Sequence, residues 1–419
     1  MQKIITAKER MRLACFLLLA ICSMQSMAQV KKALLCREPK VSKEQMEKII
    51  NSRKVMNSQL MNGDFNALPL STPQQIRVYF IICTDDNGSN AAATEAEAIT
   101  EFQTMQADFA PGNICITLAG VKRLADTYLN HMDVDAEDDA DDLFEARRIP
   151  GCLTIFLTAE IRGTNAASGG GYGGLAFNNP GTFCLVSNIG GHTSSHEAGH
   201  CLGLFHTFAT KGFGLETISG SNCDMAGDLI CDTKADPYAF QSAQDNCFWD
   251  NNGLYQGSCE DPEGHTNYDP PYKNIMSYWH HDPETFTGGQ FVVMRNNIQD
   301  DDDVLTFVSA NDYILYTATY NLENVYRSAI NSFTTLGDVN FNLLSRAGLF
   351  GKVVILTPGF DAKPSAGGLT VIKANTCVGS ASTFAPATLS RKAPSGKTEL
   401  KVSNAPLSVY PNPTKGMVT

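Results

Sequence analysis

Hydrophobic and polar positions follow two different periods in the first part of the chain. Residues 76–83 are almost continuously β-branched or aromatic, which predicts a buried central strand. Residues 91–109 are rich in Ala and Glu and carry apolar residues at helical spacing, Ile99 among them, which predicts an amphipathic helix. Apolar runs at residues 114–118 and 152–157 predict two short strands. The order strand, helix, strand, strand is typical of the start of an α/β domain.

The pattern changes on both sides of this region. Residues 29–74 are rich in Lys, Met and Asn, with a helical stretch near residues 42–61, and we interpret them as a pro-segment. A main domain then covers residues 75–298. Beyond it the helical signal fades, and short strands with Gly and Asn turns predict a β-rich accessory region over residues 299–404.

Composition narrows the class of protein. The 419 residues allow two or three domains, and 43% hydrophobic with 18% charged residues is a globular balance. The formal net charge of -12, from 32 Lys and Arg against 44 Asp and Glu, leaves no basic footprint for phosphates or an anionic membrane surface. We therefore expect no nucleic-acid partner.

Residues 1–28 have the order of a secretory signal peptide. Basic residues precede an apolar stretch at residues 13–22, and small residues end at Ala28, after which we predict cleavage. The apolar stretch is too short for a bilayer core of about 30 Å, and no later segment approaches about 18 uninterrupted apolar residues. A lipidated Cys22 is the alternative, although Ile21 stands where a small residue is usual. We expect a secreted or cell-surface protein without a membrane span.

The cysteines bear on both folding and chemistry. The predicted signal holds two of the 13 cysteines, so an odd number remains and one thiol is a candidate for another role. Cys36 is that candidate. Four others crowd into one loop-like region, where an exported protein is expected to form disulfides: Cys223, Cys231, Cys247 and Cys259. Four cysteines allow three pairings, and all three stay open.

The stretch from His196 to His206 carries the most specific pattern in the chain, H-E-x-x-H-x-x-G-x-x-H. His196 and His200 are four residues apart, so on a helix their Cβ atoms stand about 5–6 Å apart on one face and can hold one metal ion. Imidazole suits zinc. Gly203 permits a left-handed turn that ends the helix and returns His206 as a third ligand. Three protein ligands leave a fourth position for water, as in catalytic zinc sites.

Glu197 lies beside this predicted site. It is rotated by about a third of a turn from His196, so it can reach a metal-bound water without itself binding the ion. The ion lowers the pKa of the water towards about 7, and Glu197 accepts its proton as the water attacks a carbonyl. The alternative is a helix with three solvated or packed histidines. Cys201, inside the motif, is interpreted as a packing residue.

The motif resembles that of the metzincin metalloproteases, and N-I-M-S-Y at residues 274–278 is similar to their Met-turn. The resemblance implies that Met276 forms a hydrophobic floor beneath the histidines and that Tyr278 stabilises the tetrahedral oxyanion. It also implies an α/β (α+β) zincin catalytic domain with two subdomains over residues 75–298. The upper subdomain would carry the active-site helix and the lower one the Met-turn.

Further residues resemble the pappalysin and ulilysin family within the metzincins. They are Thr207-Phe208, Cys223, G-D-L-I-C-D-T at residues 227–233, F-T-G-G-Q at residues 286–290, and Met294-Arg295. In that family the Gly-Asp loop helps to bind structural calcium, so the resemblance implies Asp228, Asp232 and the Thr233 carbonyl as candidate calcium ligands. A capped turn is the alternative. Asp282 lies in the segment that lines the primed-side specificity pocket of similar enzymes, where it would favour a basic residue.

Two features indicate which groups occupy the open metal position and the substrate cleft. Cys36 fits a latency device, in which a pro-segment thiolate takes the open zinc position until it is cleaved away. A disulfide or simple packing is the alternative for Cys36. A Gly-rich loop leads into a predicted edge strand at residues 175–177, and edge strands accept extended peptides by backbone pairing.

Residues 405–419 contain L-S-V-Y-P-N-P-T-K-G, which resembles the first strand of the C-terminal sorting domain of type IX (Por) secretion cargo. The resemblance implies export by the type IX secretion machinery, with only the start of the sorting domain in this chain. A Pro/Asn turn between two strands is the alternative.

These patterns predict a secreted zinc endopeptidase, made as a zymogen and acting as a monomer on extended peptide or protein substrates. One competing hypothesis is a surface-binding or adhesion protein with a structural or inactive zinc site. Another is a zinc hydrolase of non-peptide amides. Glu197 favours an enzyme, because a structural site needs no base beside an open metal position.

Overall fold

The structure is a computed structural model that describes most of the chain between Cys36 and Ala374. The described residues are 36–37, 41–61, 73–136, 139–163, 171–208, 214–237, 260–278, 285–306, 310–321, 324–343, 345–351, 353–364 and 369–374. The predicted signal peptide, the sorting segment, Asp282, Cys247 and Cys259 lie outside the described residues.

A six-stranded sheet occupies the centre of the fold. Its strands are β1 (Cys36–Arg37), β2 (Gln74–Thr84), β3 (Ile114–Ala125), β4 (Leu153–Leu157), β5 (Gly174–Ala176) and β6 (Phe183–Val186), in the spatial order β1-β5-β6-β4-β2-β3. Neighbouring strands run parallel except β5, which is antiparallel to β6. The mixed α/β class is confirmed, whereas the division into two subdomains stays a prediction.

The α-helices that the structure describes are α1 (Lys43–Met61), α2 (Glu95–Phe109), α3 (Thr127–Asn130), α4 (Ala140–Glu145), α5 (Thr193–Cys201), α6 (Gly288–Asp300) and α7 (Asp302–Leu305). The predicted start of α2 at residue 91 was wrong, because Thr94 and Glu97 form a capping box that begins the helix at Glu95. Ile99 was expected on its apolar face but is 42% exposed, while Glu101 is buried.

β2 is buried along its whole length because both faces of the sheet are covered. Residues alternate between the two faces of a strand. Ile76, Val78 and Phe80 belong to an apolar cluster that includes residues of α2, α5 and α6. Tyr79 and Ile81 belong to a second cluster, which includes residues of α4 and of a second sheet. The continuous apolar run therefore marked a central strand correctly.

The second sheet is built from parallel pairs. Its strands are β7 (Ala310–Tyr320), β8 (Asn324–Leu343), β9 (Arg346–Gly351), β10 (Val353–Ile355), β11 (Phe360–Pro364) and β12 (Leu369–Ala374). β7, β9, β10 and β11 all pair in parallel with β8, and β12 pairs in parallel with β9. Partners such as Tyr313 and Phe333 lie about 20 residues apart along the chain, which is the arrangement of a solenoid whose coils stack on one another.

Arg77 joins the two sheets from the middle of β2. Its buried guanidinium donates to the carbonyl oxygens of Gly151 (2.8 Å) and Thr306 (2.7 Å) and to the hydroxyl of Ser328 on β8 (3.1 Å). Burial lowers the pKa of Arg77 to about 10, which leaves it charged at neutral pH. The second sheet therefore packs directly against the first sheet.

Candidate metal centre

Helix α5 carries His196, Glu197 and His200, and α2 holds its first turn in place. The amide of Gly190 donates to Glu101 Oε1 at 2.7 Å, and the hydroxyl of Ser194 donates to Oε2 of the same carboxylate. About two turns further along the same face of α2, Asp108 accepts from the hydroxyl of Ser195. The carboxylates of Glu101 and Asp108 therefore support the start of α5, where the N-cap residue His192 makes no side-chain capping hydrogen bond.

The left-handed turn predicted at Gly203 is confirmed, with φ at +98°. The turn closes with the amide of Leu204 donating to the Gly199 carbonyl at 2.9 Å. A Cβ at Gly203 would lie 1.8 Å from Nδ2 of Asn297, so glycine is also required by the close approach of α6. The chain then returns His206 towards α5.

The three histidine rings converge on one point. Nε2 of His206 lies 3.1 Å from Nε2 of His200 and 3.2 Å from Nε2 of His196. A tetrahedral zinc ion with bonds of about 2.0–2.1 Å separates its ligand atoms by about 3.3 Å, so the spacing fits that ion. All three histidines are buried.

Carbonyl groups set the tautomers of two rings. Nδ1 of His196 lies 2.6 Å from the Ile275 carbonyl oxygen, and Nδ1 of His200 lies 2.8 Å from that of Leu204. Because a carbonyl only accepts, each Nδ1 carries the proton and each neutral ring presents the Nε2 lone pair to the centre. The donor set therefore fits a zinc ion.

Cys36 completes this group from the edge of the sheet. Its Sγ and the three histidine nitrogens all lie within 4.8 Å of one another, and its thiol donates to Glu197 Oε2 at 3.3 Å. The position follows from the pairing of β1 with β5, in which Cys36 lies opposite Gly174. A Cβ on Gly174 would lie only 2.1 Å from Glu197 Oε1, so the glycine leaves the room that this carboxylate occupies.

Met276 lies against the helix that carries two of the histidines, and Tyr278 lies beside the histidine rings. Met276 is fully buried, and its Sδ would lie 2.7 Å from a Cβ on Gly199, directly against α5. The ring of Tyr278 lies 4.8 Å from that of His206, and its hydroxyl donates to the carbonyl oxygen of Cys36. Both residues implied by the resemblance to a Met-turn therefore reach the centre.

Two of the candidate calcium ligands, Asp232 and Asp228, accept hydrogen bonds from different groups. Asp232 accepts from the amide of Gly289 (2.7 Å) and the hydroxyl of Thr287 (2.9 Å), so it caps α6. Asp228 accepts from the Ile230 amide at 3.0 Å. The loop that carries these residues is closed by a Cys223–Cys231 disulfide, one of the bonds that the sequence left open.

Asp228 and Glu216 form a buried acidic pair. Burial raises the pKa of Asp228 to about 8 and, together with the charges of Asp228 and Asp236, raises that of Glu216 to about 9. Arg53 of α1 lies near Asp228 and donates to the Gly203 carbonyl at 2.8 Å. Thr233 is buried beside this loop. The sequence did not identify Glu216 or Arg53, because neither belongs to a local motif.

Comparison with known proteins gives distant relatives. The chain is 26% identical over 233 residues to an extracellular metalloprotease of Colletotrichum graminicola, which covers 51% of this chain and 76% of that protein. It is 27% identical over 175 residues to an extracellular metalloprotease of Podospora anserina, covering 38% of this chain and 55% of that protein. The chain is similar to extracellular metalloproteases. No model of a known protein family matches it.

This similarity agrees with the chemistry of the centre. A metalloprotease requires a metal, and the histidine cluster is a group that can hold one. The relatives are named as extracellular, in agreement with the predicted secretion. Among the described residues, no helix combines the length and the apolar character needed to cross a bilayer.

Proposed function

We propose that the chain is a secreted zinc endopeptidase of the pappalysin and ulilysin type within the metzincins. The observation that carries the proposal is the convergence of three histidine Nε2 atoms at 3.1–3.2 Å beside the buried carboxylate of Glu197. His196, His200 and His206 would hold the zinc. When bound, zinc polarises a substrate carbonyl and lowers the pKa of a coordinated water towards about 7.

Glu197 acts as the general base in this proposal. Its carboxylate is buried, and Gly174 leaves it the space to stand beside the histidines. Glu197 accepts the proton of the attacking water and then delivers it to the amine that leaves from the peptide bond. The 3.3 Å contact between its Oε2 and the Cys36 thiol supports this position, because that oxygen already faces the group in the cleft.

Tyr278 is the candidate for stabilising the oxyanion. Its hydroxyl donates to the carbonyl oxygen of Cys36, a backbone carbonyl that lies in the cleft. A substrate carbonyl in the same position would receive the same hydrogen bond, and the bond would strengthen as negative charge develops on the oxygen.

The edge of β5 is the proposed binding site for an extended peptide or protein substrate. Here β1 pairs with that edge, with Cys36 opposite Gly174 and Arg37 opposite Leu175. The pro-segment thus uses backbone groups that a substrate strand would need, and the Cys36 thiol lies among the histidines. We propose that residues 29–74 keep the protein latent until they are removed.

Two further proposals complete this function. Calcium would be held by Asp228 and the Thr233 carbonyl, with Glu216 nearby, since buried carboxylates favour a hard cation.

The sorting pattern at residues 405–419 supports export of the monomer by the type IX secretion machinery. Deletion of these residues would then retain the protein inside the cell.

The peptidase is tested with a random peptide library. After removal of the pro-segment, residues 29–74, the parent protein and a Glu197→Ala variant are first shown to carry equal zinc. We expect cleavage by the parent, loss of cleavage in the variant and loss with a chelator. Glu95→Ala, which changes a 69% exposed glutamate on α2, serves as the matched control and should remain active. No cleavage by the parent would contradict the proposal and favour a surface-binding protein.

A further inference from the structure

A buried pair of amide side chains joins the Met-turn to helix α6. Nδ2 of Asn274 donates to Oε1 of Gln290 at 2.9 Å, and Nε2 of Gln290 donates back to Oδ1 of Asn274 at 3.1 Å. Both residues are almost completely buried, at 4% and 0% exposure. Two primary amides withdrawn from water must satisfy their polar atoms within the protein, and this pair does so reciprocally.

Each amide oxygen also accepts a backbone hydrogen bond. Oδ1 of Asn274 accepts from the amide of Met276 at 2.9 Å, which closes a tight turn over residues 274–276. Oε1 of Gln290 accepts from the amide of Thr287 at 2.9 Å, which is half of the capping box at the start of α6. The pair therefore couples the conformation of the turn to a fixed helix end.

The middle residue of that turn contacts the metal centre. The amide of Ile275 donates to the Thr285 carbonyl at 3.0 Å, and its own carbonyl accepts from His196 Nδ1 at 2.6 Å. The carbonyl sets both the tautomer and the angle of the His196 ring. A hydrogen bond of this kind fixes the direction of the Nε2 lone pair of a ligating histidine.

We propose that Gln290 is a positioning residue for the metal centre, acting through Asn274 and the Ile275 carbonyl on His196. The inference rests on the proposed function, in which His196 binds zinc. It also gives a role to the last residue of the F-T-G-G-Q stretch at residues 286–290, which lies in α6 rather than in the cleft.

The informative substitution is Gln290→Glu, which preserves the shape of the side chain. A carboxylate oxygen would replace Nε2 and face Asn274 Oδ1, an acceptor that is 3.1 Å away. Turning the Asn274 amide over would only move the oxygen–oxygen contact to the other carboxylate oxygen, 2.9 Å away, and would place a donor opposite the Met276 amide, so neither orientation of Asn274 satisfies all of its partners. The turn is released, and with it the carbonyl that orients His196.

The test measures zinc affinity of the full chain by competition with a chelator, and the absorption spectrum after Co²⁺ replaces zinc. We expect Gln290→Glu to weaken zinc binding by about 10- to 100-fold and to change the Co²⁺ bands, because the ring that supplies one ligand is no longer held. Gln103→Glu makes the same change at an exposed position of α2 and should leave both readings unchanged.

Thr287→Val separates positioning from simple support of α6. It removes the hydroxyl that caps Gln290 N at 3.2 Å and keeps the amide pair. Metal-free Thr287→Val should unfold at a lower temperature than the parent, yet bind zinc within threefold of it. If Gln290→Glu fails to fold, Asn274→Asp provides the same test from the other side of the pair, since a carboxylate oxygen would replace Nδ2 and repel Oε1 of Gln290, 2.9 Å away, which displaces the side chain that holds the turn.

The outcomes separate this inference from the proposed function. A parent chain that binds no zinc would overturn both. A parent that binds zinc, together with a folded Gln290→Glu or Asn274→Asp variant of equal affinity and unchanged Co²⁺ spectrum, would overturn the inference alone. Equal loss of affinity in Thr287→Val and Gln290→Glu would also overturn it, because support of α6 would then explain the effect.

Discussion

Gly174→Ala is the most direct test of how closely the sheet edge and the Glu197 carboxylate, the proposed general base, are fitted together. The added Cβ would lie 2.1 Å from Oε1, 2.5 Å from Cδ and 2.6 Å from Cγ of Glu197, all far inside van der Waals contact. Gly174 is not among the glycines with positive φ, so the backbone itself accepts alanine. The side chain of Glu197 must therefore move, by about 1 Å or more, to reach an ordinary separation.

Such a displacement has a predictable size of effect. A misplacement of about 1 Å at a reacting group costs on the order of 100-fold in rate, which corresponds to about 2.7 kcal/mol of transition-state stabilisation. Because Glu197 does not bind the ion in the proposed mechanism, zinc content should be unchanged. The loss should fall on kcat, since the base acts in the chemical step rather than in binding.

The assay compares the activated parent, Gly174→Ala and Gly288→Ala on one peptide substrate, with zinc measured in each sample. Gly288→Ala is the matched control, because its Cβ would meet Asp232 at 3.4 Å, an ordinary contact outside the cleft. A kcat for Gly174→Ala within threefold of the parent, at equal zinc content, would refute the reasoning.

Two other predictions concern latency and acidity. Cys36→Ala should make the unprocessed chain cleave peptides slowly, because the thiol no longer lies among the histidines while the rest of the pro-segment stays docked. A peptidase assay on the uncut protein measures this activity. An uncut variant without any activity would contradict the prediction. Burial raises the pKa values of Asp228 and Glu216 to about 8 and about 9, so the folded state binds more protons than the unfolded state above about pH 4. Stability of the calcium-free protein should therefore fall as pH rises from about 4 to 9, and Glu216→Gln should flatten this dependence in thermal unfolding curves.

The sequence predicted those parts of the centre that depend on local geometry. A spacing of four residues places His196 and His200 on one face of any helix, and only a glycine reverses the chain easily at position 203. The buried strand β2 was equally recognisable, since a continuous run of apolar residues has few other places in a folded protein. These inferences need no knowledge of what the elements pack against.

The sequence could not predict contacts between residues far apart in the chain. Asn57 of α1 donates to the Leu229 carbonyl at 2.9 Å, and Arg77 meets Ser328 across two sheets. Neither pair has a signature in its own neighbourhood. The stacked coils after residue 310 were missed for a related reason, because their repeat lies in backbone pairing rather than in a repeated motif. Gln290 is intermediate: T-G-G-Q signals a capping box, but not the partner beyond it.

The proposed pro-segment contacts the rest of the protein at two places, and these contacts determine how the proposed latency would end. Within the described part of the chain, β1 pairs two residues with β5, and a pair of residues cannot anchor a segment by itself. Helix α1 supplies the larger contact: Met56 is buried in the main apolar cluster, and buried Arg53 donates to the Gly203 carbonyl in the turn that presents His206. Loss of the Cys36 thiol therefore opens the metal position without freeing the segment. The proposed latency therefore predicts that full activity requires the chain to be cut and α1 to leave the surface beside Gly203.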